Sequence, residues 1–270
     1  ADIGQGEEVE PARAKAEAEA VRSGVGLIDA TAFTKHAVEG PGATAFLDWF
    51  TCNKLPSVGR INLTYALTDA GTTRTEYTIV RKAENSYYLV SAGAWTAYDA
   101  DYLRKSAEDF MSNGGDYLHI TDVTSQYGVF AIAGPKSRDV LNELVVDADP
   151  GTVLSNKRFP WLTMRNIELK MCPVMAIRVA YTGELGWELH HPIEMQNYLC
   201  DQLLEAGAKH GMKLVGARAQ NWLRQEKSYR AFGTELGRDA TPLEADLPRF
   251  VDRVRHRLFA INVPAGTQRG

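Results

Sequence analysis

Tyr65, Glu76, Tyr181, Glu184, Arg218 and Arg224 form a set of acids, aromatics and arginines spread over turns and one helix. An ionised glutamate accepts two hydrogen bonds side by side, which suits a planar ring with adjacent N–H donors, while arginines suit an anionic tail. Glu184 belongs to RVAYTGELGWEL, residues 178–189. Alternating apolar residues on the way in (Met175, Ile177, Val179) and out (Trp187, Leu189) predict two half-buried strands, with Tyr181 to Glu184 at the turn. Gly183 and Gly186 let the backbone bend and let another group approach closely. The plainer alternative is a solvated turn carboxylate for Glu184 and solvated surface positions for the helical arginines.

The elements that position this set follow in order. Glu8 to Ser23 has helix-forming composition and stops before Gly24. His36 to Gly40, then Pro41 to Phe50, reads as a strand, a Gly-Pro turn and a helix. Strand-like runs follow at 61–67, 76–80 and 87–91, then a helix at about 95–111 and a strand at 117–123. Gly216 to Gly233 carries helical spacing around Trp222, Leu223 and Lys227, with Arg218, Arg224 and Glu226 on the same helix. Arg253 to Val263 alternates as a strand.

The second half repeats the first. Val38 to Ala43 with Phe46-Leu47 overlays Ile132 to Ser137 with Val140-Leu141, each a strand, a Gly-Pro turn and a helix. Leu67 to Gly71 leading into Glu76 occupies the place of Ala180 to Glu184 leading into Trp187. Both halves end in a helix, at 95–111 and 193–210. The reading is an α+β fold of duplicated βαββαβ-like units with antiparallel sheets. The expected boundaries are a helical segment at 1–23, halves at 24–125 and 126–252 (the latter with a helix at 218–232), and the start of a further β region at 253–270. If a pseudo-twofold relates the halves, Glu76 and Glu184 would come from opposite sides of a shared cleft.

A chain of 270 residues can make one large domain or two ordinary ones, and 44% apolar with 24% charged residues is the composition of a soluble globular protein. The net charge of −4 gives no general attraction to nucleic acid or an anionic membrane, so an anionic ligand must be met by local cations. Neither an apolar run of spanning length nor a secretory leader is read, which leaves a cytoplasmic or matrix-like compartment as the default. Cys52, Cys172 and Cys200 are widely spaced and fit reduced buried thiols; the histidines show no ligand spacing, so no metal is expected. With no GxGxxG, GxxxxGK[ST] or GxSxG, the chain shows no nucleotide cradle and no nucleophile elbow, so flavin or nicotinamide chemistry would have to be housed elsewhere. A pterin has the edge that a carboxylate can pair with, and its glutamate tail would want cations.

Gly24-Val25-Gly26-Leu27-Ile28-Asp29, Phe33-Thr34-Lys35, Gly40-Pro41, Leu67-Thr68, Glu76, Gly134-Pro135, YTGELGWEL, LRQEK and Thr241-Pro242-Leu243-Glu244-Ala245 occur in this order. Through them the chain resembles the folate-binding aminomethyltransferase family, the glycine cleavage T-proteins. The resemblance is strongest to the folate domain in the C-terminal half of dimethylglycine and sarcosine dehydrogenases.

That resemblance implies a central folate cleft, with Glu76 as the catalytic acid near the nitrogens that receive the one-carbon unit. Glu184 matches the pterin-contacting carboxylate, and Tyr65, Tyr181 and Arg224 match positions in or beside the cleft. T-proteins have Asp where this chain has Glu76, which points toward the amine-oxidising branch. The implied activity is tetrahydrofolate-dependent capture of carbon from an oxidised N-methyl amine as 5,10-methylenetetrahydrofolate, with FAD only on a partner amine dehydrogenase domain or subunit. A lipoyl-dependent aminomethyltransferase, a folate-dependent demethylase and a non-catalytic folate-binding subunit are the alternatives. Two departures from the family stand out. Phe250-Val251-Asp252 and Arg255-His256-Arg257-Leu258 are nearly fused where the family has an extra stretch, and the family's C-terminal β domain is expected to be truncated here.

Overall fold

The computed structural model describes residues 4–252, with the side chains of 11–149 and 151–252. The strand expected at Arg253 to Val263 lies outside the described residues. In chain order the elements are α1 (Gly4–Ser23), β1 (Gly26–Asp29), β2 (Thr34–Glu39), α2 (Ala43–Phe50), β3 (Ile61–Leu67), β4 (Thr73–Ala83), β5 (Ser86–Ser91), α3 (Thr96–Ser112) and β6 (His119–Asp122). There follow β7 (Tyr127–Ala133), α4 (Ser137–Leu144), α5 (Pro150–Val153), β8 (Met164–Leu169), β9 (Cys172–Ile177), β10 (Gly186–Pro192), α6 (Gln196–Ala208), β11 (Lys213–Leu214) and α7 (Ala217–Glu226). Among the described residues, no helix is long and apolar enough to cross a membrane.

The chain forms two compact units. One comprises Ala1–Phe33 and Val123–Tyr229 and is called here the Trp187 unit; the other comprises Thr34–Asp122 and Arg230–Gly270 and is called the Glu76 unit. The Trp187 unit holds a sheet of order β11-β1-β7-β10-β9-β8, antiparallel except for β1 with β11. The Glu76 unit holds an antiparallel sheet of order β3-β4-β5-β2-β6.

The duplicated α+β arrangement is present in detail. A strand and a short helix lead into a three-strand meander and a longer helix in both units, and β8-β9-β10-β7 repeats the order β3-β4-β5-β2. The short helices bury residues at the same spacing, Ala43, Phe46, Leu47 and Phe50 in α2 and Ser137, Val140, Leu141 and Leu144 in α4. That i, i+3, i+4, i+7 stripe is one helix face, and it covers one side of the sheet. Before each of them a Gly-Pro turn carries positive φ, 118° at Gly40 and 127° at Gly134, a conformation that an L side chain disfavours.

The register of the repeat differs from the expected one in one place. The loop Leu67 to Gly71 follows the edge strand β3, so its counterpart is the Lys170-Met171 turn between β8 and β9. The loop that bears Glu184 joins β9 to β10 and corresponds to the turn between β4 and β5. The sequence misleads here because β8 is mostly exposed or half-buried and lacks the apolar alternation that marks a strand. Helix α7 ends at Glu226, short of the expected 232, because Ser228 turns to φ 57° and the Tyr229 amide folds back onto the Arg224 carbonyl.

Candidate functional site

In the Glu76 unit, Tyr65 on β3 and Glu76 on β4 are direct cross-strand partners and share one sheet face. The ring of Tyr65 is wholly buried among Cys52, Leu236, Ala245 and Leu247. Glu76 is half-buried beside it. Burial pushes the Glu76 carboxyl up to about 7, opposed by the Tyr65 phenol, which favours the ionised form. The phenol in turn is held well above its ordinary range, first by its own burial and then by the Glu76 charge, and its oxygen has no partner at hydrogen-bonding geometry. The sequence places Glu76 at the start of a strand-like run at 76–80; β4 begins earlier, at Thr73, so Glu76 sits inside a long strand, where the ladder on both sides fixes its direction.

In the Trp187 unit, the segment between β9 and β10 carries Tyr181 and Glu184, and α7 carries Arg218 and Arg224. Gly183 has φ 75°, and a Cβ there would run into the stem of Lys227, 2.8 Å from its Cδ. The close approach foreseen at this glycine is therefore made by a lysine stem. Lys227 Nζ lies 3.9 Å from Glu184 Oε1. Tyr181 stacks on Tyr229, with centroids 6.3 Å apart and ring planes 22° apart. Arg224 is buried on α7, where Nε donates to Asn221 Oδ1 at 2.8 Å and Nη1 to the Tyr229 carbonyl at 2.8 Å. Its guanidinium thus holds in place the turn that presents Tyr229. Arg218 is exposed, and Glu226 pairs with Arg22 of α1.

A cavity in this unit is lined by Ile28, Ala131, Tyr181, Thr182, Glu188 and Gln220, among others. The lining is mostly apolar, and the Thr182 hydroxyl is buried there without a partner, which beside Glu188 and Gln220 marks a position for water or a ligand atom. The sequence reading missed Thr182, Glu188, Gln220 and Tyr229. Strand alternation from Trp187 could have pointed to Glu188 on the opposite face. The Tyr181–Tyr229 stack had no sequence signal. Among the described residues, no three His, Cys, Asp or Glu side chains gather as a metal site. Burial raises the Cys52 and Cys172 thiols to about 11, which keeps them protonated and unreactive near neutrality.

Residues 7–255 match the family described as the GCVT N-terminal domain. The chain belongs to this aminomethyltransferase family. It is 35% identical over 227 residues to mitochondrial dimethylglycine dehydrogenase of Mus musculus, covering 84% of this chain and 25% of that protein. It is 31% identical over 235 residues to the aminomethyltransferase of Listeria monocytogenes, covering 86% of this chain and 60% of that protein. Among solved structures, the glycine cleavage system aminomethyltransferase T from Bartonella henselae superposes with a TM-score of 0.76 at 26% identity, covering 91% of this chain and 63% of that one. The chain thus spans about a quarter of the dehydrogenase relative. GCVT membership supports one-carbon transfer chemistry in general and a folate-binding domain.

Proposed function

We propose that this GCVT chain is a tetrahydrofolate-dependent one-carbon transferase module. It would capture the carbon of an oxidised N-methyl amine, as iminium or formaldehyde, to give 5,10-methylenetetrahydrofolate. The observation that carries the reading is Glu76: a strand-held carboxyl beside a buried phenol, with its proton affinity raised to about 7. A carboxyl poised there can take a proton from an attacking amine nitrogen and return it to a leaving hydroxyl at neutral pH. Glu184 would accept from ring N–H groups, and Tyr181 with Tyr229 would offer an aromatic wall. Tyr65 would set the environment of Glu76, and Arg224 would keep the Tyr229 turn in place. The residues fit a pterin ring, since acceptor, aromatic and unpartnered hydroxyl groups are all supplied by the 181–184 segment and its neighbours.

The dehydrogenase relatives support a flavin-containing amine dehydrogenase domain or subunit as the source of the oxidised amine. Their names say mitochondrial, in keeping with a matrix or, in a bacterium, a cytoplasmic setting. A lipoyl-dependent aminomethyltransferase is the second reading, favoured by the Listeria relative and distinguished by ammonia release. The test is Glu76→Gln alongside Glu184→Ala, with anaerobic calorimetric titration of tetrahydrofolate and a methylene-transfer assay. Glu76→Gln should lower transfer by roughly 10²-fold while leaving affinity within a few-fold, and Glu184→Ala should weaken binding itself. Equal loss of binding and transfer in Glu76→Gln would remove it from the chemistry.

A further inference from the structure

On the other side of the Trp187 sheet, two arginines converge without an acid. Arg178, the residue after β9, is 8% exposed; Nη1 donates to the Phe159 carbonyl and Nη2 to Asn156 Oδ1 at 2.7 Å. Arg138 on α4 donates from Nε to the Leu154 carbonyl at 3.0 Å and from Nη2 to the same Asn156 Oδ1 at 2.7 Å. Both guanidinium carbons lie near the Trp187 ring, 5.7 Å and 5.6 Å from its centroid. Among the described residues no carboxylate stands within ion-pair distance of either. Other arginines of the same chain do find acids, as Arg13 does with Glu17 and Arg104 with Asp101 and Glu108.

Bringing two like charges onto one neutral amide oxygen is costly when one of them is buried. Burial, and then the charge of Arg138, make Arg178 easier to deprotonate than an ordinary arginine. The Trp187 indole N–H is also wholly buried and has no acceptor. The acceptors that converge here are the Asn156 oxygen and the Phe159 and Leu154 carbonyls, all neutral, and Asn156 is exposed, so the cluster opens to solvent. Its own neutral oxygen stands where an anionic oxygen would be bound more strongly.

We propose that Arg138 and Arg178, with Asn156 at the mouth, form an oxyanion site that takes a phosphate or carboxylate group. It is separate from the cavity of the candidate functional site: Trp187 and Glu188 are successive residues of β10 and point to opposite faces, and only Glu188 lines that cavity. The guanidinium N–H groups not given to carbonyl oxygens are available to a second and third ligand oxygen.

The test is thermal unfolding of the full chain in inorganic phosphate, in succinate and in chloride at matched ionic strength, for the wild type, Arg138→Gln and Asn156→Asp. A bound oxyanion should raise the melting temperature saturably by roughly a few °C above chloride. Phosphate acting alone would assign the site to phosphoryl groups, and succinate acting as well would assign it to carboxylates. Arg138→Gln should lose the increment. Asn156→Asp supplies the anion from within, so it should melt higher than wild type in chloride and gain nothing from either salt. An increment that persists in both variants would place the anion elsewhere. An Asn156→Asp protein that melts no higher than wild type in chloride, or no increment in either salt, would overturn the proposal.

Discussion

The Glu76 unit and the Trp187 unit share a strand order, but their acids stand at different places in it. In one unit the acid lies inside β4, opposite a buried phenol, and its proton is held to about pH 7. In the other it lies in the loop between β9 and β10, 3.9 Å from a lysine nitrogen. The repeat therefore reproduces the scaffold and not the chemistry: a ladder-held carboxyl is suited to proton handling, and a loop carboxylate beside a cation is suited to recognition. The cores diverge as well. At the start of the long helix, α3 turns Asp99 inward where α6 turns Leu199 inward. Asp99 accepts from the Thr75 hydroxyl at 2.8 Å and is raised above the usual carboxylate range by burial.

The largest effect should come from the pair of Gly-Pro turns, where the repeat looks most exact. A Cβ on Gly134 would collide with the Gly24 carbonyl and sit 2.6 Å from the Val21 carbonyl, both rigid backbone, whereas on Gly40 its nearest neighbour is the Tyr117 carbonyl at 3.0 Å. Gly134→Ala should cost on the order of 3–4 kcal/mol and Gly40→Ala roughly 1–2 kcal/mol. Chemical denaturation of the two variants measures both. Equal costs would show that the two turns are equivalent in packing as well as in shape.

Glu76 gives the next effect, and its sign follows from the direction of the shift. The folded chain holds this proton more tightly than the unfolded one, so the group costs nothing extra below about 4.5, and stability is lost as pH rises toward 7. Glu76→Gln should remove that loss. The variant should gain up to about 3 kcal/mol on wild type above pH 7, relative to the difference at acid pH. Transfer activity, if it needs the ionised carboxylate, should rise through pH 7 in the wild type and not in the variant. A variant whose stability runs parallel to wild type across this range would place Glu76 in the same solvated class as an ordinary loop carboxylate.

Most of this contrast was legible before the structure, and the part that was not has a physical reason. The Gly-Pro signature and the Phe46-Leu47 and Val140-Leu141 stripes located both strand–turn–helix units, because local steric and periodic rules act on neighbouring residues. The meander was misregistered, because β8 hides its strand character in exposed residues and all successive hairpins look alike. The resemblance pointed to Glu76 and Glu184, and the strand-like run at 76–80 and the turn at 181–184 already set them on a strand and a loop; the buried phenol opposite Glu76 and the lysine beside Glu184 had no such signal. The Tyr181–Tyr229 stack and the Arg138–Asn156–Arg178 cluster unite residues far apart in sequence, and no period or spacing encodes them.

The smallest effect should come from Lys227. Its side chain is 44% exposed and that of Glu184 27%, at 3.9 Å, so the pair is screened by water and should contribute less than about 0.5 kcal/mol. Lys227→Met keeps a stem of similar length over Gly183 while removing the charge. Stability should then stay within about 0.5 kcal/mol of wild type, measured by denaturant midpoint at low and high salt. Lys227→Ala also removes the stem and should cost more, through lost packing and not through lost charge. If Lys227→Met cost as much as Lys227→Ala, the lost charge and not the lost stem would account for the damage, Glu184 would depend on its cation for the fold itself, and the loop acid could no longer be set apart from the strand acid as free for recognition.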